Sequence, residues 1–106
     1  MSVVQIIKAP EQWLVEVNGG YDICFKEVEV TVADAVESGT VLADAATEAV
    51  GTETEVLGIL ADHKEAGTQW VRVMVTGNPS KVAAKELSVA TDAIKGALEA
   101  KNILAV

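Results

Sequence analysis

Apolar residues fall at every second position through much of the first two-thirds of the chain, and the spacing lengthens to three and four in the last third. A repeat of two marks a strand with one buried face, and a repeat near 3.6 marks a helix. In 12 to 17, Trp13, Val15 and Val17 alternate with Gln12, Leu14 and Glu16, and Asn18-Gly19-Gly20 then offers a turn that accepts positive φ. Alternation resumes in 21 to 32, with Val28, Val30 and Val32 on one side and Glu27, Glu29 and Thr31 on the other. The pattern predicts a β-hairpin.

Two short apolar stretches follow, each with a glycine: Gly-Thr-Val-Leu at 39 to 42 and Val-Leu-Gly-Ile-Leu at 56 to 60. Gly39 and Gly58 are expected to permit turns or close backbone approach, while Val41, Leu42, Leu57, Ile59 and Leu60 build a small core. Between them Glu53 and Glu55 alternate with threonines, as exposed strand-edge residues do, in a segment expected to be an exposed connection. A further strand is expected over 69 to 77, with Val71, Val73 and Val75 on an aliphatic face and Trp70, Arg72, Met74 and Thr76 on a mixed one. Such a mixed face suits a subunit contact or a partly covered surface, and the pattern leaves both open.

The last third predicts two short helices. Asn78-Pro79 supplies an N-cap and a first-turn proline for Ser80 to Leu87, with Val82 and Leu87 inward and Lys81 and Lys85 on one solvated face. Thr91 caps the second, Ile94 and Leu98 lie one turn apart, and Asn102 tolerates the left-handed stop. Ile103 to Val106 form a β-prone tail. At the other end Ser2 to Ile7 are short and β-rich, and Pro10 sets them apart. The expected organisation is a detachable arm over residues 1–10 and one domain over 11–106, predominantly β with two short C-terminal helices (α+β).

A chain of 106 residues supports one core of adequate but not generous size, so oligomerisation would help it. Sixteen acidic residues against eight basic ones give a net charge of -8, spread along the chain. That surface repels phosphate backbones and argues against nucleic acid as a partner. No apolar run approaches the roughly 20 residues that span a bilayer, and the N-terminus lacks a basic start. The expectation is a soluble, unprocessed intracellular product without a membrane partner.

Candidate chemistry is sparse. The lone Cys24 lies among alternating apolar residues and reads as a packed thiol. His63, the lone histidine, sits in a polar turn with Asp62 and Glu65, without the nitrogen and sulfur partners that zinc favours. Glu53 and Glu55 lack the compact carboxylate run of a calcium loop and the apolar surround of an acid/base pair. The glycines follow no phosphate-binding pattern, and no nucleophile has a histidine at a signature spacing. No catalytic residue, metal site or cofactor is expected, and the chain does not read as an enzyme.

The order of the remaining features carries more. A strand enters Gly39-Thr40-Val41-Leu42, Gly58-Ile59-Leu60 follows, then the valine-rich Val71 to Val75, then helical residues ending near Ile103. Over about residues 28 to 104 this resembles the head decoration proteins of tailed phages, the family of the phage lambda capsid-stabilising protein. The resemblance implies a small β-rich fold and a homotrimer on the outer surface of the capsid. It implies binding to the major capsid protein of the expanded head at threefold and quasi-threefold positions, stabilising it against packaged DNA, after synthesis in the host cytoplasm.

On that reading Ser2, Val3, Val4, Gln5, Ile6 and Ile7 are the capsid-binding residues, adding as a strand to an open sheet edge. The same residues as the first strand of the domain's own sheet is the rival. Trp13, Trp70 and Arg72 are the candidates for the trimer contact, with core packing as the rival for either tryptophan. The competing function is a β-rich structural or interaction module unrelated to capsids.

Overall fold

The structure, a computed structural model, describes residues 13–16, 24–77 and 79–106. The strands are β1 (Leu14–Glu16), β2 (Phe25–Val32), β3 (Val41–Asp44), β4 (Thr47–Glu48), β5 (Gly58–Leu60), β6 (Gly67–Met74), β7 (Ser80–Val82) and β8 (Ile103–Ala105). A single 3-10 turn at Ala84–Glu86 and one α-helix, α1 (Asp92–Glu99), complete the described elements. They form a five-stranded sheet in the order β2-β6-β5-β3-β4 and a three-stranded sheet in the order β1-β7-β8.

The five-stranded sheet is antiparallel throughout and has core on both faces. Val41, Ile59, Phe25 and Met74 face one cluster with Trp13, Val82, Leu87, Ile94, Leu98 and Ile103. Leu42, Leu60 and Val73 face a second, with Val30, Val36 and Val71. Each of the apolar pairs Val41-Leu42, Ile59-Leu60 and Val73-Met74 therefore sends one side chain into each core. Strict alternation fails in these segments because neither face of the strand meets water. Register fixes the arrangement, with Val41 opposite Ile59, Ile59 opposite Met74 and Leu60 opposite Val73.

Gly58 is where the two motif strands press closest. A Cβ there would stand 2.1 Å from the Met74 carbonyl oxygen, inside any allowed contact. Gly39 instead needs its φ of +95° to turn the chain into β3. At the far end of the sheet the Thr31 amide donates to the Ala45 carbonyl at 2.9 Å, so the β3–β4 turn closes over one end of β2. The sheet curls toward a half-closed barrel around the second cluster.

The helix follows its sequence signals. Thr91 Oγ1 accepts from the Ile94 amide at 3.3 Å, Ile94, Ala97 and Leu98 are buried, and Asn102 takes a φ of 64°. Thr91 Oγ1 also donates to the Gly51 carbonyl at 2.5 Å, tying the start of the helix to the loop after β4. The chain then turns into β8, which pairs in parallel with β7.

Three expectations are corrected. Leu14–Glu16 pair with β7 in the smaller sheet and not with β2, so the predicted hairpin is absent among the described residues. Residues 80 to 82 form a strand, not a helix. Ser80 lies opposite Ile103 and Val82 opposite Leu14, so β7 is paired along both edges. Cap and propensity signals are each worth about 1 kcal/mol, less than pairing on two sides with Ser80 and Val82 both buried. Lys81 consequently lies on a strand, 3.8 Å from Glu16, and shares no helix face with Lys85.

The strand-edge comparison for Glu53 and Glu55 is the third: their segment is the expected connection, but residues 49–57 contain no strand. The Glu53 carboxylate instead accepts from the Val50 and Gly51 amides at 2.9 Å each. These bonds hold its pKa below the usual carboxylate value. An ionised cap organises the loop.

Candidate assembly interface

The expected interface residues separate into distinct environments. Ser2, Val3, Val4, Gln5, Ile6 and Ile7 lie outside the described residues. Trp13 takes the core role of the two left open for it. It is 2% exposed, its Nε1 donates to Ser38 Oγ at 2.8 Å, and Ser38 in turn donates to the Ala61 carbonyl at 2.7 Å. Its ring centroid lies 6.4 Å from that of Phe25. The ring is enclosed by its own chain.

Trp70 and Arg72 sit two apart on β6 and share a face, as alternation requires. Arg72 is half-buried and engaged within the chain. Its Nη2 donates to Asp62 Oδ1 at 3.0 Å, its backbone amide to Asp62 Oδ2 at 3.0 Å, and its guanidinium carbon lies 5.6 Å from the centre of the Phe25 ring. Partial burial opposes ionisation of Asp62, but the hydrogen bonds from Arg72 outweigh it and hold the pKa below the usual carboxylate range. This fork closes the edge of the first core. Trp70, by contrast, has 63% of its surface exposed.

Around Trp70 the register places Glu29 directly opposite on β2, with Thr31 opposite Thr68 and Glu27 opposite Arg72. Thr31 and Thr68 join hydroxyls at 2.8 Å. The face runs from the buried pair Phe25 and Met74, past the Arg72 fork, to an exposed tryptophan among acids and hydroxyls. Alternation foretold which residues share this face. It did not foretell that Phe25 would bury half of it.

His63 joins two loops. Its Nδ1 is 3.2 Å from Glu37 Oε2 and its Nε2 is 2.8 Å from Glu65 Oε2. Sequence placed Glu65 beside it, but Glu37 arrives only through the Val36–Lys64 bridge. Hydrogen bonds to Glu65 and Glu37 raise its pKa above 6.5. Only the imidazolium donates from both nitrogens. The contact is therefore complete at low pH and is lost as pH rises through the raised value. In a proton NMR titration His63 should titrate above 6.5, and Glu65→Gln or Glu37→Gln should each lower its midpoint.

Lys64 beside it is buried, and its Nζ donates to the Glu65 and Gly67 carbonyls. The ammonium pins the β5–β6 loop from inside, a role its place in a polar turn did not announce. Cys24 is also buried, with Sγ 3.4 Å from the Gly77 carbonyl. Among the described residues no three His, Cys, Asp or Glu side chains are grouped as a metal site requires. Two surface grooves flank α1, one between it and β8, lined by Lys95, Glu99 and Leu104, and one between it and the loop at Glu55 and Val56. No described helix is long and apolar enough to cross a membrane.

No family model matches the chain, and no curated protein or solved structure matches it significantly.

Proposed function

We propose that the chain is a phage capsid decoration protein, a homotrimer that binds the major capsid protein on the outside of the expanded head and stabilises it against packaged DNA. The observation that carries this reading is the placement of the motifs behind the resemblance. Val41-Leu42, Gly58-Ile59-Leu60 and Val71 to Val75 are neighbours in one sheet, and together they supply most of the second core. Their order in sequence, β3, β5, β6, is their order across the sheet.

Cementing a shell calls for many copies that each bridge several neighbours, and a threefold arrangement multiplies weak contacts through effective concentration. Each trimer presents three N-terminal arms. Ser2 to Ile7 add to an open edge of the capsid protein, with backbone hydrogen bonds supplying affinity and Val3, Val4, Ile6 and Ile7 the apolar contacts. The net charge of -8 keeps a dense array of such knobs soluble and away from free DNA.

Deleting residues 2–8 should leave a folded trimer that no longer sediments with expanded capsids. Light scattering reads the trimer and co-sedimentation reads the decoration. A deletion variant that still decorates would remove the arm from the mechanism, and an intact chain that binds neither expanded nor unexpanded heads would end the decoration reading. That second result would favour the alternative, a β-rich interaction module outside any capsid, for which the exposed Trp70 face is the supporting observation.

A further inference from the structure

Among the described residues, the β2 edge of the five-stranded sheet combines an open row of backbone groups, unbalanced charge and an exposed aromatic ring. β2 ends the strand order, and no described strand lies beyond it. The Thr31 amide points away from β6, to Ala45, whereas the Cys24 carbonyl accepts from Val75 on the β6 side. Antiparallel pairing alternates these directions, so Glu27 and Glu29 turn their backbone N–H and C=O outward along with Thr31. The Thr31 amide is already satisfied by the β3–β4 turn. Among the described residues, the two glutamates define the open stretch.

Their side chains lie on the face that carries Trp70, with Glu29 directly opposite it. Both are exposed, and neither joins an ion pair among the described residues. Arg72, across from Glu27, gives its guanidinium to Asp62, and Lys26 falls on the opposite face of β2 by alternation. Uncovered acids on an edge repel acidic strands, which protects it from pairing with a second copy of a chain charged at -8. They attract a strand of the opposite sign.

We infer that this edge takes a polypeptide strand bearing Lys or Arg at alternate positions, which adds beside β2 and lays a cationic side chain across Glu29 onto the Trp70 indole. An added strand lies about 4.8 Å from β2, and its side chains on this face stand beside Glu27 and Glu29. A long cationic side chain there reaches over the glutamate to the ring of the next strand, where the indole face attracts it. Residues 2 to 7 carry no charge and do not fit the description. The inference stands apart from the capsid reading, since any partner with such a strand qualifies.

The probe is a capped peptide alternating arginine with threonine, compared with its glutamate counterpart on the isotope-labelled full chain. The arginine peptide should shift the Glu27, Glu29 and Trp70 indole signals and slow exchange of the Glu27 and Glu29 amides. Glu27→Lys with Glu29→Lys should weaken it by at least about tenfold and transfer preference to the glutamate peptide. Trp70→Ala should weaken the arginine peptide while leaving the oligomeric mass unchanged. Equal binding of both peptides, or shifts spread over the acidic surface without protection of these amides, overturns the inference. A fall in oligomeric mass for Trp70→Ala assigns the face to a second copy, and protection of the same amides that disappears on deleting residues 2–8 assigns it to the arm. Either result also overturns it.

Discussion

Gly58→Ala should cost about 3–5 kcal/mol or prevent folding outright, the range of the most damaging single substitutions. The methyl group would meet the Met74 carbonyl at 2.1 Å, and that neighbour is backbone, so no rotamer change relieves the clash. Relief requires β5 and β6 to separate where Ile59 faces Met74 and Leu60 faces Val73. Because those pairs feed opposite cores, one displacement loosens both. Gly96→Ala is the control, with nothing within 4 Å of the new carbon on an exposed helical face. It should gain about 0.5–1 kcal/mol from helix propensity. Urea melts of the three proteins read both signs, and equal melts for Gly58→Ala and the parent would mean that the strands are not so closely opposed.

Trp13→Ala is the second large effect, at about 3–5 kcal/mol for a buried aromatic ring. The loss is more than volume. Trp13 Nε1 holds Ser38 Oγ, and Ser38 holds the Ala61 carbonyl, so the indole connects β1 to the loop before β3 and to the end of β5. Trp13→Phe keeps most of the packing and drops the hydrogen bond, and should cost about 1–2 kcal/mol more than area alone because Ser38 loses its donor. A loss confined to the oligomer, with the monomer unaffected, would return Trp13 to the subunit contact. Equilibrium unfolding at two protein concentrations separates these outcomes.

The two tryptophans illustrate what sequence could and could not settle. Alternation placed Trp70 on a mixed face, and it is exposed there. The same logic grouped Trp13 with Val15 and Val17, yet Trp13 is buried and Val15 is 56% exposed, because β1 is only three residues long and belongs to another sheet. Local pattern carries no information about which distant strand a segment will pair with. The α1 signals, from the Thr91 cap to Asn102, were sufficient because they satisfy the helix within itself.

Ser80 to Val82 show the opposite case, where a good local start signal yields to pairing on two sides. Apolar content still spoke correctly: Val82 and Leu87 are buried, though no helix presents them. Glu37 could not be matched to His63 at all, since their approach depends on a bridge between residues 28 apart in sequence. Among the candidate contacts, the mixed face that carries Trp70 was legible, whereas the exposure of its ring and the tethered state of Arg72 were not. Asp62 looked like one more turn acid until the fold brought it beside β6.

The small sheet has a mechanical consequence. Any tension on the N-terminal segment enters the described fold at Trp13 and passes along β1 to β7, the middle strand, before it reaches β8. β1 spans three residues, so few backbone bonds share that load, and extraction of the enclosed indole provides the remaining resistance. The five-stranded sheet takes load only through that indole, by way of Phe25 and Ser38. A pull strong enough to strip β1 would therefore lengthen the tether before load reaches β2, with Gly58 and the strands it joins still in place, a mechanical fuse between the N-terminal segment and the body of the domain.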